Sequence, residues 1–150
     1  FDMGLGDIFC ARVTGNLAST GVLGSLEYAC VLAGAKVILV LGHVNSKVMK
    51  MAVDASRQQE AAQTGCRHLD PIVAEVGKSI DPHRVSQWDS LTPGDQQAYL
   101  DDLYRAHIRR TIGIVLQESP AVRALVDRGQ VKLVGGMYDV RSGLVDVFAP

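Results

Sequence analysis

His43 is the residue best placed to do chemistry. It follows Gly42 at the end of Val37-Ile38-Leu39-Val40-Leu41, an apolar run β-branched at three of its five places. Such a run suits a strand buried on both faces, and ligand crevices in α/β sheets open beyond the carboxyl ends of such strands. An imidazole there is either a metal ligand or acid–base group, or a histidine satisfied by structural hydrogen bonds. Arg12 and Asn16 flank the end of an earlier apolar run. Asn16 after Gly15 is also ordinary turn chemistry, and Arg12 suits an ion pair. Cys10, Cys30 and Cys66 stand far apart with no C-x-x-C. They read as reduced core or loop thiols, not a disulfide framework. His68, His83 and His107 have no ligand spacing to one another, and His107 lies on an apolar helical stripe, where a hydrogen-bonded core histidine belongs. Other chemistries fail on their motifs. Gly4-Leu5-Gly6 meets Phe9 where a dinucleotide fingerprint needs a third glycine, and neither a P-loop nor a G-x-S-x-G elbow is present.

These residues need elements to position them. Ile8 to Val13, between Gly6 and Gly15, reads as a strand. Ser25 is expected to cap a helix with Glu27 in its first turn and Gly34 at its end. The run 37–41 is a second strand, followed by a helix from about Ser46. Residues 56–66 read as a loop, residues 69–80 as a helical stripe and residues 81–91 as irregular. Thr92-Pro93-Gly94-Asp95 starts a long helix: a cap, a proline at the first position, an acid at the positive end. Ser119-Pro120 starts another, closed by Gly129. Val131–Val134 and Leu144–Phe148 are strands too close in sequence for a crossover, so the last is antiparallel. The alternation predicts an α/β domain with a mostly parallel sheet.

Composition sets the frame. A chain of 150 residues and 16.1 kDa is one ordinary domain. Hydrophobic residues at 47% and charged residues at 21% exclude disorder. Fifteen Lys+Arg against sixteen Asp+Glu leave a net charge of −1, which argues against nucleic-acid or membrane-surface binding driven by bulk charge. No apolar run approaches the ~18 residues that span a bilayer. The expected location is cytoplasmic. Because the chain opens on Phe1-Asp2-Met3 with no initiator Met, it is also expected to be a piece of something longer.

Five segments in order resemble the β-class carbonic anhydrases. Gly4-Leu5-Gly6-Asp7-Ile8-Phe9 looks like the family's G-x-G-D-[IL]-F, and Arg12-Val13-Thr14-Gly15-Asn16 like its R-[NIV]-A-G-N, with Thr14 for Ala. Gly24-Ser25-Leu26-Glu27-Tyr28-Ala29 looks like G-S-[LM]-E-[YF]-A, Val37 to His43 like the strand ending in Gly-His, and Val131 to Gly143 like I-V-G-x-x-Y-D-x-x-T-G, with Ser142 for Thr. The resemblance implies a three-layer β-carbonic-anhydrase-like fold, a homodimer or larger, and a zinc enzyme that hydrates carbon dioxide to bicarbonate. Two Cys and one His hold the family's zinc and leave an open position, where bound water is acidified toward ~7. By resemblance, Arg12, Gly15, Asn16 and Gly42 line the cleft and His43 is the histidine ligand.

The chain departs from that pattern where the metal sits. Ser46 stands where the family's H-x-x-C has its Cys, followed by Lys47 for Gly, and the family's C-x-D-x-R motif is absent. A serine hydroxyl does not replace a thiolate on zinc under ordinary conditions. The same resemblance places one central strand, missing here, between residues 7–13 and 36–42. Residues 1–150 are therefore expected to be a single, N-terminally incomplete domain, with an upstream segment or another chain filling the gap. The expected function is a degenerate, non-catalytic homologue with zinc absent or weakly held. The alternatives are an active carbonic anhydrase completed by upstream residues, and a small-anion-binding or assembly module using Arg12, Asn16 and His43.

Overall fold

The computed structural model describes all 150 residues. A helical turn at Thr14–Asn16 is followed by α1 (Thr20–Glu27), which widens into a π-helical turn at Tyr28–Leu32, and by strand β1 (Val37–His43). Then come α2 (Lys47–Gln58), α3 (Asp70–Gly77), the short α4 (Pro82–Ser86), the 26-residue α5 (Pro93–Glu118) and α6 (Pro120–Asp127). Strands β2 (Lys132–Tyr138) and β3 (Val145–Phe148) end the chain.

The sheet is mixed, in the order β1-β2-β3. β1 and β2 run parallel, with Val37 opposite Lys132 and His43 opposite Tyr138, and β3 returns antiparallel along β2, as expected from the short connection. Helix α5 covers one face. Ile38, Val40, Leu133 and Met137 point to that side and are buried with Ile108 and Ile112 of α5. Two glycines let the helix sit close. A Cβ on Gly42 would lie 2.7 Å from Ile108 Cδ1, and one on Gly135 would lie 3.0 Å from Ile108 Cγ2. The other face carries Val37, Leu39, Leu41, Val145 and Val147; Val37 and Val147 are each more than half exposed.

Thr92 is the cap the sequence predicts, and the helix starts read at Ser46 and Ser119 are also capped. Thr92 accepts from the Asp95 amide at the head of α5, Ser46 from Met49 at the head of α2, and Ser119 from Val122 at the head of α6. Gly34 follows the π-helical turn in the left-handed region, φ 78°, as a helix-ending glycine should.

Other expectations are corrected. Residues 8–13 form no strand: they run outside the sheet, exposed, and pair with nothing. A short apolar run between glycines favours an extended backbone, but a ladder also needs a neighbouring strand. Ser25 is not a cap. The helix begins earlier, at Thr20, and Ser25 Oγ donates back to the Gly21 carbonyl at 2.8 Å from inside α1. Residues 56–66 are only partly loop, since α2 reaches Gln58. Within 81–91, Asp81 accepts from the His83 and Arg84 amides and starts α4, with Pro82 at the first position.

Candidate functional site

β1 delivers His43 to the carboxyl edge of the sheet. Its Nδ1 lies 2.9 Å from the Val44 carbonyl, and a carbonyl only accepts, so Nδ1 carries the proton. The lone pair of Nε2 is left free on an exposed ring. Gly42, beside it, is small because Ile108 packs on it, a structural reason that stands apart from ligand binding.

The turn Thr14–Asn16 approaches the same strand end. Gly15 has φ 76° and Asn16 φ 51°, both in the left-handed region that glycine adopts freely and asparagine tolerates. A Cβ on Gly15 would stand 2.8 Å from Ile72 Cγ2 of α3, so glycine is required by space as well as by backbone. Asn16 Nδ2 donates to the Leu41 carbonyl at 3.3 Å. That bond joins the turn to β1 two residues before His43. Arg12 is exposed and forms no ion pair, so the pairing open to it in the sequence is not made within this chain.

Ser46 sits three residues past His43, half-buried. Its Oγ accepts from the Met49 amide at 3.4 Å as the cap of α2. The hydroxyl therefore has a local structural task. Behind it stands the buried Tyr104 of α5. Burial pushes its phenol up, while a backbone hydrogen bond with Ser46 pulls the other way.

Nowhere do three or more His, Cys, Asp or Glu side chains gather in a way that could hold a metal ion. Cys10 and Cys66 are exposed, and Cys30 is buried in the core, where burial raises its thiol and nearby Lys36 opposes the rise. All three are free. The donors of residues 1–150 thus do not fit a zinc site of three protein ligands: His43 supplies one imidazole, and the neighbouring hydroxyl is a helix cap.

One polar cluster lies behind the site. His107 Nε2 is 2.8 Å from the Gly15 carbonyl and Nδ1 is 2.8 Å from Ser79 Oγ, while Thr111 Oγ1 donates to the Asn16 carbonyl at 3.1 Å. The reading of His107 as a hydrogen-bonded core histidine holds. Its partners, Gly15 at 92 residues and Ser79 at 28 residues along the chain, were not legible. The available signal was His107 and Thr111 spaced i, i+4 on an otherwise apolar stripe, because buried polar groups need partners.

Comparison with known proteins gives a single answer. The family model described as carbonic anhydrase matches residues 1–145. Carbonic anhydrase 2 of Mycobacterium tuberculosis is 28% identical over 143 residues, covering 95% of this chain and 63% of that protein. The carbonic anhydrase of Mycolicibacterium smegmatis is 29% identical over 147 residues, covering 98% and 66%. The chain thus spans just under two-thirds of the length of these relatives. Among solved structures, the β-carbonic anhydrase CafA of Aspergillus fumigatus superimposes with a TM-score of 0.76 at 20% identity, covering 97% of this chain and 65% of that one. A tetrameric β-carbonic anhydrase of Sordaria macrospora gives 0.77 at 20% identity, covering 99% and 71%. With the family model matching nearly the whole chain and β-carbonic anhydrases as its structural neighbours, the chain belongs to the β-carbonic anhydrase family.

Proposed function

We propose that residues 1–150 form a β-carbonic-anhydrase-like domain with a degenerate zinc site, which does not itself hydrate carbon dioxide. The observation that carries this reading is the state of Ser46. At the position where the resemblance expects a thiolate, a hydroxyl caps α2 instead, and only one imidazole stands nearby. One nitrogen donor does not hold zinc tightly. The domain then serves assembly or regulation, in a homodimer or larger oligomer. Support for assembly comes from the exposed apolar side chains of the first thirteen residues, of Tyr28–Leu32 and of the open sheet face.

The same reading includes a further strand. The Lys132 amide donates to the Lys36 carbonyl and the Val44 amide to the Tyr138 carbonyl, so the even-numbered residues of β1 turn their peptide groups toward β2. The odd-numbered peptides of Val37, Leu39, Leu41 and His43 therefore face outward along an edge that no strand pairs with, where Asn16 Nδ2 reaches the Leu41 carbonyl. In our proposal that edge takes a strand from residues preceding Phe1 or from another chain.

A second reading, an active carbonic anhydrase completed by residues outside 1–150, has one observation in its favour. The His43 ring is already held with Nδ1 protonated and Nε2 free, the form a metal ligand needs. Zinc content at neutral pH with reductant present, together with stopped-flow hydration of carbon dioxide, separates the two. The first reading expects well under one zinc per chain and a background rate. One zinc per chain with catalysed hydration would overturn it.

A further inference from the structure

We infer that His107 is a positioning residue for the cleft at Asn16 and His43: from α5, with Thr111, its ring holds the Gly15–Asn16 turn against the end of β1. The inference rests on reading Arg12, Asn16 and His43 as one cleft, and it adds how that cleft is held.

The geometry assigns the ring. The Gly15 carbonyl only accepts, so Nε2 carries a proton, and Nδ1 lies 2.8 Å from the Ser79 hydroxyl, which donates to it when the ring is neutral. Thr111, one helical turn further along α5, donates to the next carbonyl, Asn16. Asn16 then passes its own side-chain amide to Leu41 of β1. A continuous line of hydrogen bonds runs from the buried helix through the turn to the strand that carries His43.

The turn needs such a hold. Two successive residues lie in the left-handed region, and the second is not glycine. Backbones of this kind persist only when their surroundings enforce them. The preceding segment, residues 8–13, is exposed and joins no ladder; it meets the rest of the chain through Phe9 against Tyr28 and the Val13 carbonyl, which accepts from the Asn16 amide.

The charged groups facing the ring are Arg110 on its own helix and Glu75 of α3, which in turn engages Lys78 and Arg110. The turn brings only the Gly15 carbonyl. Burial holds the imidazole below its ordinary range and Arg110 acts the same way, while Gly15 and Glu75 oppose them. A base whose folded pKa is depressed contributes stability above its unfolded pKa. That contribution fades as pH falls through the folded one. The hold therefore weakens on acidification.

The test uses the full chain and needs no zinc or activity. Nitrogen-15 NMR of the ring reports the tautomer, and hydrogen exchange reports on residues 13–17. We expect the Nε2-protonated tautomer. His107→Leu should speed exchange in 13–17 about tenfold while α6 is unchanged. His107→Gln should restore slow exchange, because its amide donates to Gly15 and accepts from Ser79. In the unaltered chain, exchange corrected for intrinsic chemistry should rise between about pH 7.5 and about pH 5; in His107→Gln it should not. Should His107→Leu fail to fold, Thr111→Val removes one bond at constant shape and should give about a fivefold local rise. An Nδ1-protonated ring, a pH-independent turn, or Gln as disruptive as Leu would each overturn the inference. Zinc binding by the unaltered chain would overturn the proposed function and leave these readouts as they are.

Discussion

The two faces of the one sheet could hardly differ more. On one, Ile38, Val40, Leu133 and Met137 are sealed by α5, whose Ile108 presses onto two strand glycines. On the other, Val37, Leu41 and Val147, equally apolar, stay substantially exposed. The strands are the same and the side chains simply alternate, so the difference lies in what is available to cover each face. A covered face stabilises this domain; an uncovered apolar face, beside an unpaired strand edge, is a surface for something else.

That contrast can be tested by substitution. The largest effect is expected on the covered face: Ile108→Ala should lower unfolding free energy in urea by about 3 kcal/mol, because a side chain 1% exposed leaves a cavity at the helix–sheet contact. Next is the Gly15–Asn16 turn at the edge of the sheet. Gly15→Ala should cost about 2 kcal/mol by the same measurement, from the left-handed backbone together with the approach to Ile72. The smallest belongs to the open face, where Leu41→Lys should stay within about 0.5 kcal/mol in dilute solution. A loss at Leu41 comparable to that at Ile108 would mean that the open face is covered in solution, and the loss should then vary with protein concentration.

Much of this was legible in advance. The three strands that form, the helix starts at Ser46 and Ser119, the cap at Thr92, and the burial of the α5 stripe follow from local pattern, because capping and amphipathicity act over one or two turns. The site was legible in part. Gly-His at a strand end and Gly-Asn in a turn stand out as residue types, and Ser46 stands out against the family pattern. What could not be read were relations between distant residues: that His107 and Thr111 hold the carbonyls of Gly15 and Asn16, and that Asn16 reaches Leu41.

The segment 8–13 marks the boundary between the two kinds of knowledge. By itself, the sequence determined which backbone each stretch favours, which residues could carry chemistry, and that Ser46 is no thiolate. Only the tertiary structure decided whether a stretch that favours extension finds a partner, which face of the sheet is sealed, and which hydroxyl or ring is already committed. The physical reason is that propensity, capping and periodicity are settled by neighbours in sequence. Strand pairing, burial and hydrogen-bond satisfaction are settled by neighbours in space, and residues 8–13 have none to pair with.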